Sequence, residues 1–189
     1  MTKAGSAMGK IQSIAVGLAV FMTAALTTFA VDAKTLQVCF KTADNKHYVA
    51  RGARGGYLDA SATECEGSAV FLLHDAKGKR HDPKFGAPVV MMAAAKKRYV
   101  WVNVSKKTAF ATKSKYKKRD KRFMVEIKTS SGAGKGSPLT PGVKISMVSF
   151  HKGMQFFTPD GGGDELMVGK PPRGSKKRWS RFKLVKARK

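Results

Sequence analysis

Ten of the last 20 side chains are basic: Lys170, Arg173, Lys176, Lys177, Arg178, Arg181, Lys183, Lys186, Arg188 and Lys189. Gly174 and Ser175 lie among them, so backbone N–H groups can add an anion-binding concavity. Arginine offers a planar fork of donors that matches sulfate or phosphate, and lysine offers a mobile point charge. The chemistry is capture of an anion, with no bond made or broken. A second group surrounds Tyr116: Lys113, Lys115, Lys117, Lys118, Arg119, Lys121 and Arg122. Such a loop attracts polyanions diffusely, with strong salt dependence and little selectivity. Lys96, Lys97, Arg98, Lys106 and Lys107 extend the candidate surface.

Residues for other chemistry are sparse. His47, His74, His81 and His151 lack metal-ligand spacing with one another or with the cysteines. There is no Gly-x-Ser-x-Gly elbow and no His-Glu-x-x-His pair. The run Ser131-Gly132-Ala133-Gly134-Lys135-Gly136-Ser137 misses the spacing of a phosphate loop and reads as a linker. Asp160, Asp164 and Glu165 sit in a glycine turn, which does not suggest a catalytic pair. The chain is therefore expected to bind rather than catalyse, with no cofactor and no metal.

The elements that must carry these loops begin after residue 33. Lys3 and Lys10 precede an uncharged, mostly apolar run over 11–30, and Val31-Asp32-Ala33 offers a small-residue exit. This order describes a secretory signal peptide over 1–33, expected as an N-terminal signal helix, with an uncleaved membrane anchor as the alternative. The expected location is extracellular or periplasmic, and contact with a membrane is expected only through an uncleaved signal.

The full chain holds 37 Lys and Arg against 12 Asp and Glu, a formal charge of +25. Without Lys3, Lys10 and Asp32, residues 34–189 carry +24. The load is uneven: residues 34–87 carry +3 and residues 88–189 carry +21. Such a field opposes compaction and exceeds what solubility needs, so it implies a counter-charged partner. Export favours an anionic polysaccharide or cell-surface polyanion over nucleic acid, which such a charge would bind non-specifically. In an oxidising compartment Cys39 and Cys65 are expected to pair, with two buried thiols as the alternative.

The periodicity is that of strands. Leu36 to Phe40, Tyr99 to Val104 and Lys144 to Val148 alternate, and Gly, Pro and Asp interrupt the short runs between them. Residues 38–73, shifted by 52 positions, bring Val38 onto Val90, Val49 onto Trp101 and Leu58 onto Phe110. A third copy opens at Val143-Lys144-Ile145 and closes at Phe182-Lys183-Leu184-Val185. The expected fold is all-β: one domain over 34–189, with pseudo-repeats at about 36–87, 88–141 and 142–189 and about twelve strands. Trp101, Trp179, Phe123 and Phe182 are expected in its core. Asn103-Val104-Ser105 is a glycosylation sequon, but it falls in a predicted strand.

Three such units resemble a β-trefoil. The stretch Tyr48 to Ala60, followed by Phe71-Leu72-Leu73, resembles a fascin-type repeat. Through Thr63-Glu64-Cys65 it is also similar to a repeat of the fibroblast growth factors. A second partial likeness to the growth factors lies at Met167 to Arg178, where a strand leads into a basic Pro/Gly loop. That resemblance implies a heparin-type site at Lys170, Arg173, Lys176, Lys177 and Arg178, although the loop here is shorter before Phe182. Two other readings follow from fold-level analogy. One is a trefoil lectin for neutral sugars, which the absence of Gln-x-Trp repeats weakens. The other is a fascin-like structural or cross-linking protein, which export weakens because actin is cytosolic.

Overall fold

The computed structural model describes residues 35–53, 55–77, 82–130, 134–163, 165–170 and 173–188. The expected signal over 1–33 lies outside them. Among the described residues there is no α-helix. Twelve strands run in order: β1 Leu36–Lys41, β2 Tyr48–Arg51, β3 Leu58–Ala62, β4 Phe71–Asp75, β5 Pro88–Ala93, β6 Arg98–Asn103, β7 Thr108–Lys113, β8 Met124–Thr129, β9 Lys144–Ser149, β10 Gln155–Phe157, β11 Met167–Gly169 and β12 Phe182–Lys186. Short 3-10 turns precede β4, β8 and β12, at Gly67–Ala69, Lys121–Phe123 and Gly174–Ser180.

All pairings are antiparallel and they close on themselves. β1 pairs β4, β4 pairs β5, β5 pairs β8, β8 pairs β9, β9 pairs β12 and β12 returns to β1. Each unit adds a hairpin to this ring: β2–β3, β6–β7 and β10–β11. A longer circuit of nine strands also closes, through β6, β7, β11 and β10, leaving β2, β3 and β8 outside it. Closure leaves few exposed strand edges, the usual hazard of an all-β protein. The same turn recurs in each unit after its first strand. Asn45, Lys97 and Lys152 all sit there in the left-handed region, with φ of 59°, 49° and 61°.

One apolar core serves all three units. The first contributes Val38, Phe40, Val49 and Leu58, the second Val89, Met91, Val100 and Ala109. The third contributes Ile145, Met147, Phe156 and Leu166. Over the first three strands of the first two units the core positions lie 51 residues apart, not 52, whereas the fourth strands keep the expected 52, with Leu73 and Val125 both in the core. A slip of one residue moves every side chain of a strand to its other face. The expected match of Val49 with Trp101 therefore fails: Val100 points inward and Trp101 points out. Phe123 and Phe182 are buried as expected, whereas Trp101 and Trp179 are only half-buried. Trp101 instead stacks on its cross-strand partner Phe110, with centroids 5.2 Å apart, and Phe110 meets Tyr57 at 4.6 Å.

Cys39 faces the opposite side of β1 from Val38 and Phe40, and it is bonded to Cys65, with Cα atoms 5.7 Å apart. The bond ties the first strand to the connection between β3 and β4.

The β1–β2 loop is fixed by one carboxylate. Asp44 Oδ1 accepts from Thr42 Oγ1 at 2.5 Å, from Lys46 N at 2.9 Å and from His47 N at 3.2 Å, and Oδ2 pairs with His47 Nδ1. Asp44 N donates to Gly161 O at 3.2 Å, which docks the loop on the third unit. Any side chain at Gly162 would collide with the Asp44 carboxylate. Burial opposes ionisation of Asp44, but the hydrogen bonds from Thr42, Lys46 and His47 outweigh it and hold its pKa well below the usual carboxylate range. A depressed carboxylate pKa adds stability that is present above the unfolded value, near ~3.9, and is lost as pH falls through the folded value. Thermal scans should therefore be level from pH 7 to 5 and fall steeply below about pH 4. Asp44→Ala should cost about 1–2 kcal/mol at neutral pH and flatten the acid limb. An acid limb unchanged in the variant would remove Asp44 from this role.

Candidate functional site

The backbone register sets a row of like charges. Lys183 on β12 is the direct partner of Lys41 on β1 and of Lys144 on β9. Register partners share a face, so three ammonium-bearing chains stand in line across three adjacent strands, with opposed Cα atoms roughly 4.5–5.5 Å apart. On β1 the core takes Val38 and Phe40, and on β12 it takes Phe182 and Leu184, so the lysines between them face outward. Like charges directly opposed on a sheet are destabilising. Within the row, Lys41 has a partner of its own, the Tyr48 ring, whose centroid lies 5.5 Å from its ammonium.

The 3-10 turn Gly174–Ser180 delivers further cations to the same place. It is closed by Arg181 N donating to Arg178 O at 3.0 Å and by Ser180 Oγ donating to Lys177 O at 2.9 Å. Thr158 N donates to Trp179 O at 3.2 Å, and the Trp179 ring lies against Gly161, which anchors the turn on the third unit. Two grooves flank it. One, of about 150 Å³, is lined by Lys144, Arg178, Arg181 and Lys183 with Thr42 and Asn45. The other, of about 290 Å³, is lined by Lys128, Lys177 and Arg181 with Ser146, Ser180 and Gln155. Arg181 belongs to both.

Lys144, Lys177, Arg178, Arg181 and Lys183 are exposed, and among the described residues none of them forms an ion pair. Lys128 is partly neutralised by Glu126, at 3.1 Å. The arrangement can hold an extended anion against charge and against hydroxyl and amide groups at once. Among the described residues no cluster of metal-ligating side chains occurs.

The sequence-expected residues divide. Lys177, Arg178 and Arg181 line the grooves. Lys170 and Arg173 are exposed but line neither groove. The Lys176 side chain lies outside the described ones. Lys41, Lys128 and Lys144 were missed, because each is a lone lysine in an alternating strand. Their signal is the register, which a linear charge count does not contain.

The second group lies elsewhere. Lys113 ends β7, with its ammonium 5.5 Å from the Trp101 ring. Lys115, Lys117, Lys118 and Arg119 follow in the loop, and Lys121 and Arg122 open the turn before β8. Asp120 accepts from the Arg122 backbone N at 3.0 Å and from its guanidinium at 2.7–3.2 Å. The hydrogen bond from the Arg122 side chain is the main reason that the Asp120 pKa is lowered. Lys96, Lys97 and Arg98 lie beside this group, since Tyr99 pairs with Lys113, while Lys106 and Lys107 occupy the far end of the hairpin. Asn103 ends β6, and its Oδ1 accepts from Lys106 N at 3.2 Å.

Solved structures share this architecture. The SDF2-like protein from Arabidopsis thaliana matches with a TM-score of 0.59 at 7% identity, covering 80% of this chain and 92% of that one. A Caenorhabditis elegans protein of unknown function gives 0.61 at 11% identity, covering 85% and 99%. The designed three-fold symmetric protein ThreeFoil gives 0.56 at 9% identity, covering 79% and 97%. At these identities the likeness is one of fold, trefoil-like and all-β. No family model matches the sequence, and the curated proteins hold no match to it either.

Proposed function

We propose that the protein is a secreted, non-catalytic module that binds an anionic polymer of the sulfated or phosphorylated polysaccharide type. The observation that carries this reading is the in-register row Lys41–Lys183–Lys144, with Arg178 and Arg181 added by the 3-10 turn. A row that opposes folding is retained most simply where a ligand neutralises it. The disulfide is compatible with delivery outside the cell, and the apolar run over 11–30 supplies a route. On this reading the chain is a β-trefoil of the fibroblast-growth-factor or fascin-like kind, with its basic loop shifted onto the barrel strands.

Residues 34–189, with the disulfide formed, should bind immobilised heparin and elute only well above physiological salt. The slope of log affinity against log salt should be steep, since each neutralised anionic group adds roughly 0.7–0.9. Elution near physiological salt, or binding that salt does not weaken, would falsify the proposal.

A further inference from the structure

We infer that the protein carries two separate polyanion-binding surfaces and therefore bridges two polymer chains. The inference rests on the binding reading above and adds an activity to it. The second surface is the loop over 113–122, which holds seven basic side chains and one acid, Asp120. Asp120 is committed to Arg122. Among the described residues, Lys115, Lys117, Lys118, Arg119 and Lys121 are exposed and form no ion pair.

A charged loop is ordinarily a mobile, solvated one, and ordering it on a ligand costs free energy. This loop is held at its middle and at its end. The Tyr116 ring packs on Tyr99 at 5.0 Å and on the buried His74 at 5.6 Å. Asp120 caps the turn Lys121–Phe123 by accepting from Arg122 N, and Phe123 is buried beneath it. The lysines between these anchors stand on a fixed base, so little ordering remains to oppose binding.

The two surfaces lie at opposite ends of one strand. Lys121 and Arg122 immediately precede β8, whereas Lys128 and Thr129 close it and line the groove with Lys177 and Arg181. A six-residue strand spans roughly 20 Å. Glu126 lies between them and pairs with Lys128, so the positive field is interrupted along β8. No described groove contains residues of both groups. Two fixed cationic surfaces on one body let a second chain bind at the effective concentration that the first creates, which turns binding into cross-linking.

The test is light scattering with long-chain heparin, beside binding of a short heparin oligosaccharide. The disulfide-bonded wild type should scatter strongly as heparin is added and clear again in heparin excess, when each surface takes its own chain. Lys117→Ala/Lys118→Ala/Lys121→Ala should lose most of that scattering and still bind the oligosaccharide. A charge-matched control, Lys46→Ala/Lys84→Ala/Lys135→Ala, should scatter like the wild type. Wild-type binding without scattering overturns the inference and leaves the binding reading intact. Equal loss in the two triple variants also overturns it, because bulk charge would then be the cause. Absence of heparin binding overturns both.

Discussion

Replacing Lys144, Arg181 and Lys183 together by alanine should weaken heparin binding and, in the same protein, raise the stability of the fold. The two effects have one origin. Lys183 stands between Lys41 and Lys144, so its removal relieves two directly opposed pairs. Cross-strand pairs are worth roughly 0.2–1 kcal/mol each, and like charges enter with a destabilising sign. None of the three side chains has an ion-pair partner among the described residues, so no compensating attraction is lost. Binding moves the other way. Three lost contacts should lower the salt slope by roughly two to three, because each contributes about 0.7–0.9. Salt-dependent heparin affinity and a urea midpoint, measured on one preparation, check both signs. Lower stability with unchanged affinity would show that the row is structural and that the anion binds elsewhere.

Removing the Cys39–Cys65 bond should lower stability by roughly 3 kcal/mol, the loop-closure entropy of a bridge across 26 residues. For a domain of this size that corresponds to a fall of roughly 6–12 °C in the melting temperature. The location makes the effect global. Cys39 belongs to β1, which pairs β2, β4 and β12 and so joins the start of the ring to its end. Its side chain and that of Lys41 share the outer side of the strand, opposite Val38 and Phe40. Cys39→Ala/Cys65→Ala, compared with the oxidised wild type by calorimetry, gives the number. A reduced wild type that melts with the oxidised one would place the stability of the ring in its core alone.

Much of the architecture is legible in the chain. Alternation at Leu36 to Phe40, Tyr99 to Val104 and Lys144 to Val148 marks three strands that the fold contains at nearly those bounds. The near-repeat of about 50 residues marks three units that cannot bury their apolar faces singly. The exact register was not legible. Val49 and Trp101 look equivalent at a shift of 52, yet the core takes Val49 and Val100. Apolar type alone cannot distinguish two adjacent apolar positions, whereas packing against the other two units can.

The same physics separates the two halves of the candidate site. Composition and local order decided that the molecule would be cationic, that the cations would crowd residues 88–189, and that Lys177, Arg178 and Arg181 would lie within one stretch of five residues. Those are facts of sequence neighbourhood, and no folding is needed to bring them about. Only the closed ring of strands decided that Lys41, Lys144 and Lys183 stand in one row, although more than 100 positions separate Lys41 from Lys144. A strand's partner is chosen by hydrogen-bond register and by the fit of the shared core. A surface charge has no part in that choice, so its neighbours across the sheet appear only when the barrel closes.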